Sequence, residues 1–225
     1  MLLAVDTSTR MMGIALYDGA QVISEMYWRS ENFHTVQLAP AVETMLAQCD
    51  LSAAEVRAVA VALGPGSFTG LRIGLAFAKG LALANHLPIV GIPSMEVCAA
   101  AIPPLKMPLW SLLQAGRGRL AVARFTIGAR GWQQQGELKA LTLDEFTAQI
   151  DEDACVTGEL DAELRTALRR GANGHSLLLV PPAQAARRPA LLAELAWSRW
   201  QANRCDDLHT LAPLYLHYGE PIAAA

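Results

Sequence analysis

Apolar residues along this chain fall into two rhythms, and the alternation between them outlines the elements. "LLAVD" (residues 2–6) is a short buried-strand run, and "MGIALYDG" (12–19) is a second strand. The Asp18–Gly19 pair is a hairpin signal leading into a third strand, "AQVISEMYW" (20–28). Leu38, Val42, Met45, Leu46 and Cys49 then recur at helical spacing, in a helix that Pro40 is expected to kink or restart. Ser52 and Glu55 form a capping box for a short turn. "AVAVAL" (58–63) is a buried strand, and after a glycine-rich helix come the strand "IVGI" (89–92) and the helix "SMEVCAAA" (94–101).

"IPPLKMP" (102–108) carries three prolines and marks a boundary, after which the order starts again. "LWSLL", "LAVARFTI" and "WQQQGELKAL" are strands, with "GARG" as the turn between the last two. Thr142 and Glu145 box the helix "LDEFTAQI", and "ACVTG" is a strand. "LDAELRTALRR" is a helix stopped by Gly171, "SLLLV" a strand and "PALLAELAWSRWQANR" the last long helix. Each half therefore runs strand, strand, strand, helix, strand, helix, strand, helix. That order predicts an α/β protein of two similar lobes, residues 1–102 and 103–225, each a mixed sheet flanked by helices. It is the organisation of the actin-like, duplicated ribonuclease-H-like (ASKHA) fold, which by itself says nothing of activity.

Two stretches carry candidate chemistry. "VDTST" ends the first strand with Asp6, Thr7, Ser8 and Thr9, which either face phosphates or a metal or simply satisfy a tight turn. The second is the helix after "GPG", with Gly70, Gly74 and Gly80 inside it, each costing about 1 kcal/mol against alanine. Phosphate binding at the helix start would explain only the glycines before the helix. Gly66, Gly70, Gly74, Ala78 and Ala82 step by four and leave a groove free of bulky side chains, which lets another backbone approach. The approaching helix belongs either to another chain or to this one.

Composition narrows the classes. Of 225 residues 52% are hydrophobic and 17% charged, enough apolar material for a sizeable core. The net charge of −3 without a basic stripe argues against gripping a nucleic acid unaided. Cys49, Cys98, Cys155 and Cys205 are far apart, which excludes a zinc knuckle and suggests reduced thiols. The start reaches Asp6 without a basic region, unlike a signal peptide, and the longest charge-free apolar stretch is interrupted by prolines. A cytoplasmic protein with no membrane partner is the expectation.

"GPGSFTGLRIG" (64–74), with "LAVDTST" at the start, "HTVQLAP" from His34 and "PLYL" from Pro213, resembles the bacterial TsaB family, also called YeaZ. The resemblance is dense over residues 1–100 and sparse beyond until "PLYL". It implies the actin-like fold and a non-catalytic partner in threonylcarbamoylation of the adenosine next to the anticodon of tRNA. It also implies pairing with the transferase TsaD through first-lobe helices, help from a TsaE-like ATPase, and tRNA contact only through the complex. Transferred to this chain, the partner interface comprises Gly66, Phe68, Gly70, Leu71, Arg72, Gly74, Leu75, Ala78 and Lys79. Arg72 and Lys79 are expected either to hold partner charges or to be solvated.

TsaD carries a metal-binding H-M-E-G-H at the position where this chain has "SMEVC", so Ser94 and Cys98 replace both histidines. Ser94 is expected to cap the helix, Glu96 to favour its first turn and Cys98 to lie in the core. No metal and no catalytic residue is expected, and the five histidines are taken as structural or surface groups. Relatives carry Asp-Ala-Arg at the second lobe's first turn, where this chain has Gln114, Ala115 and Gly116, and an arginine after "YL", where it has His217. Asp6 to Thr9 then form a vestigial nucleotide site, with ADP or ATP held at a shared subunit interface. Two alternatives stay open: an enzyme in its own right, a phosphotransferase or glycoprotease-like metallopeptidase, and a homodimer through the same helix face.

Overall fold

The computed structural model describes residues 1–31, 34–129, 131–170 and 172–216. The expected positions Gly171 and His217 lie outside the described residues. Elements follow the anticipated order in both halves. The first half contains β1 (Leu2–Asp6), β2 (Met11–Tyr17), β3 (Val22–Arg29), α1 (His34–Gln48), β4 (Ala58–Gly64), α2 (Phe68–Asn85), β5 (Ile89–Pro93) and α3 (Ser94–Ala100). The second contains β6 (Leu109–Gly116), β7 (Arg119–Gly128), β8 (Gly131–Leu141), α4 (Leu143–Thr147), β9 (Ala154–Gly158), α5 (Ala162–Leu168), β10 (Leu177–Leu179) and α6 (Pro189–Gln201). Both capping boxes form: Glu55 accepts from Ser52 N at 2.8 Å, and Glu145 accepts from Thr142 N at 2.7 Å.

Contacts divide the described chain into two units, Met1–Val97 with Arg188–Leu214, and Cys98–Arg187 with Tyr215 and Leu216. In the first, the strand order is β3-β2-β1-β4-β5. β1 pairs antiparallel with β2 and parallel with β4, and β4 pairs parallel with β5. Strand alternation sorts side chains by size. Leu3, Val5, Ile14, Leu16, Val59 and Val61 meet Leu38, Met45 and Leu75 of α1 and α2, while Leu2, Ala4, Ala15, Ala58, Ala60 and Ala62 meet Ala190, Ala193 and Ala196 of α6. In the second unit the order is β10-β9-β6-β7-β8, with Trp110, Leu112, Val122 and Val156 packed on Phe146 of α4 and on Leu168, the last residue of α5.

Two expectations are revised. The division at residue 102 with everything after it in a second lobe does not hold, because α6 packs on the first sheet. Its alanine stripe fits the alanine-lined face closely, and Glu25 on β3 holds its start: one carboxylate oxygen accepts from Ala190 N at 2.9 Å and the other from Arg188 Nε at 2.9 Å. The chain then continues along the same unit, Asp206 N donating to Ile89 O at 2.9 Å and Leu214 N to Leu63 O at 2.7 Å. Pro40 does not restart α1, which runs through it. Val36, four residues earlier, is exposed like Pro40, so the proline falls on the solvent side of the helix.

Candidate functional site

The turn between β1 and β2 is polar and almost entirely buried: Asp6 and Ser8 have no exposed surface and Thr7 has 2%. Such a turn survives only if its groups are satisfied internally. Asp6 Oδ1 accepts from Ser8 N at 2.9 Å and from Ser8 Oγ at 2.6 Å. Thr7 Oγ1 donates to Gly70 O at 2.7 Å, and Ser67 N, at the N-cap of α2, donates to Ser8 O at 2.6 Å. His34 Nε2, at the first residue of α1, donates to Thr9 O at 3.0 Å. Thr9 Oγ1 accepts from Met11 N at 3.1 Å and closes the turn.

The glycines explain how α2 comes this close. A Cβ at Gly66 would stand 2.0 Å from Ser8 O, one at Gly70 2.1 Å from Thr7 O, and one at Gly74 2.2 Å from Thr7 Oγ1. The smooth face of α2 is thus occupied by this chain's own hairpin turn, not by a helix of this or any other chain. Gly70, Leu71, Gly74, Leu75 and Ala78 are buried, which removes them from the expected interface and leaves Gly66 half-buried beneath Ser8. In this arrangement Asp6, Thr7 and Ser8 face internal partners and are covered by the glycine backbone.

The other side of α2 is open. Phe68 is 54% exposed, Arg72 and Ala76 are exposed, and with Thr35, Leu38 and Ala39 of α1 and Thr69, Ile73 and Phe77 they line an apolar groove of about 470 Å³. The Arg72 guanidinium stacks over the Phe68 ring, 3.8 Å from its centroid. Lys79 does not share this surface as its spacing suggested: its ammonium donates to His209 O at 3.2 Å on the returning C-terminal segment. Thr35, Ala39, Ile73, Ala76 and Phe77 escaped the sequence reading. Apolar residues at helical spacing look alike whether they face a core or water.

Ser94 opens α3 but turns its hydroxyl onto Ser8 Oγ, at 3.2 Å. Glu96 binds Arg199 of α6 at 2.7 Å, and Cys98 is buried. Among the described residues no group of three or more His, Cys, Asp or Glu side chains is placed to hold a metal ion. Burial pushes the Cys155 thiol up to about 11, which suppresses thiolate at neutral pH. At the second hairpin, Gln114 Nε2 donates to Asp161 Oδ2 at 2.7 Å while Asp161 Oδ1 caps α5 by accepting from Leu164 N at 2.8 Å. No described helix is long and apolar enough to cross a membrane.

Residues 29–150 match the family described as TsaD, tRNA N6-adenosine threonylcarbamoyltransferase. Over 97% of this chain and 95% of the relative, the sequence is 30% identical to the tRNA threonylcarbamoyladenosine biosynthesis protein TsaB of Bacillus subtilis. It is 40% identical to the Haemophilus influenzae protein of the same name over 44% of this chain and 42% of the relative. The solved structure of YeaZ from Pseudomonas aeruginosa shares the fold, with a TM-score of 0.75, 22% identity, and 96% of this chain and 99% of that one covered. The sealed turn, the glycine helix and these likenesses lead to one conclusion: the chain belongs to the TsaB family of tRNA threonylcarbamoyladenosine biosynthesis proteins.

Proposed function

We propose that this chain is a non-catalytic scaffold subunit that binds a TsaD-like transferase through the α1–α2 groove. The observation that carries the reading is the apolar lining in which Phe68 and Ala76 are exposed beside half-buried Ile73 and Phe77, since a contiguous apolar patch on a folded protein marks an interaction surface. Phe68 with Arg72 stacked on it has the makeup of an interface anchor. The absence of a catalytic role rests on the sealed Asp6 turn and on Ser94 and Cys98 at the transferase's histidine positions. In this reading a TsaE-like ATPase joins the pair, ADP or ATP is held at a surface that another subunit completes, and tRNA is met only through the complex. A homodimer through the same groove competes with the transferase.

Substituting Ala76→Arg tests the reading, because it places a charge in the groove without touching the glycine face. The expected result is a folded monomer that no longer retains the cognate TsaD-like protein in a pull-down. Retention at the wild-type level would overturn the reading. Gly70→Leu and Gly74→Leu are unsuitable for this purpose, since they collide with Thr7 and test folding instead.

A further inference from the structure

We infer that the buried turn Thr7–Thr9 is the spacer that sets the geometry of the α1–α2 groove, making Thr7 and His34 positioning residues for partner binding although neither lines the groove. The inference rests on the docking reading above. Both walls of the groove hang from this one turn. On the α2 side, Thr7 Oγ1 donates to Gly70 O at 2.7 Å, and the absent side chains of Gly70 and Gly74 let the turn seat directly on the helix backbone. On the α1 side, His34 Nε2 donates to Thr9 O at 3.0 Å and ties down the first residue of the helix, next to Thr35 in the groove wall.

The turn itself is rigidly held. Asp6 takes two bonds from Ser8, and Ser67 N fixes the Ser8 carbonyl. Leu38 of α1 and Leu75 of α2 belong to one apolar core. Apolar packing yields to small rotations more readily than hydrogen bonds, which are directional. The spacing and rotation of α1 against α2 are therefore set by Thr7 and His34. The hairpin tip here works as an internal gauge.

The test uses the full chain and its cognate TsaD-like partner. Four variants are compared: Thr7→Val, His34→Leu, His34→Gln, whose amide can still donate to the Thr9 carbonyl, and Leu192→Ala, a core control on the opposite face of the sheet. Two quantities are read: the Kd by calorimetry, and the distance between spin labels at Val36→Cys and Leu83→Cys, both exposed, in a background with Cys49 and Cys205 replaced by serine. Thr7→Val and His34→Leu are expected to weaken binding at least tenfold and to shift or broaden the label distance. His34→Gln should restore both, and Leu192→Ala should lower stability while leaving both unchanged. Folded Thr7→Val and His34→Leu proteins with wild-type distance and Kd within twofold would overturn the inference. So would a Leu192→Ala protein that changes as much as they do. The label distance is measured on the free protein, so it judges the gauge even where Ala76→Arg shows that the partner docks elsewhere.

Discussion

The β1–β2 and β6–β7 turns occupy the same place in the two halves of the pattern, yet they were put to opposite uses. At the first, Asp6, Thr7 and Ser8 are buried, and the two hydroxyls and the Ser8 carbonyl are bound. At the second, Gln114, Gly116, Arg117 and Gly118 are exposed, and a Cβ on either glycine would meet nothing within 4 Å. Glycine serves each turn for a different reason. Gly70 and Gly74 have no side chain because Thr7 stands where one would be, while Gly116 and Gly118 sit at φ of +80° and +70°, a conformation that L residues adopt at a cost. Equivalent topology thus carries a packing constraint in one unit and only a conformational one in the other.

The contrast can be broken most forcefully at Gly70. Gly70→Leu is expected to cost upwards of about 3 kcal/mol in urea unfolding or to prevent folding, because the obstacle is the Thr7 carbonyl, which cannot step aside. Asp6→Ala should cost about 2 kcal/mol, as both Ser8 donors lose their acceptor inside the protein. The isosteric Asp6→Asn keeps an acceptor oxygen and should cost less; a loss equal to that of Asp6→Ala would assign the effect to the charge. Gly118→Ala should cost about 1 kcal/mol, measured in the same way, and leave partner binding untouched. Equal losses at Gly70 and Gly118 would erase the distinction between the two turns.

Two smaller changes sharpen it. Gly80 shares the helix and the four-residue step of nothing that touches it: a Cβ there meets open space. Gly80→Ala is accordingly expected to raise stability by about 0.5–1 kcal/mol, seen as a later thermal midpoint. Gln114→Ala removes one exposed bond to Asp161 and should stay within about 0.5 kcal/mol of wild type by denaturant titration, so that capping of α5 survives without it.

The element order, both capping boxes and the mixed sheets were legible because each rests on residues near one another in the chain. So was the special character of "GPGSFTG", whose glycines violate helix propensity and announce a compensating contact. What compensated was not legible. The four-residue step is equally compatible with a partner helix, and only the fold brings Thr7 across to Gly70 and Gly74. Glu25, which holds the start of α6, gave no signal, since a single acid on an amphipathic strand looks solvated until its partner, 163 positions later, arrives.

By itself the sequence determined the list of elements, their periodicity and the place where a helix had been smoothed, all consequences of local propensity and spacing. The tertiary structure alone decided which surface covers that helix, which sheet α6 joins and which apolar side chains remain outside. Those outcomes depend on shape complementarity between distant segments: alanine on alanine beneath α6, a threonine seated on two glycines, and Phe68 and Ala76 left facing outward. A hydrophobic pattern records that a face is to be buried but carries no record of what will bury it.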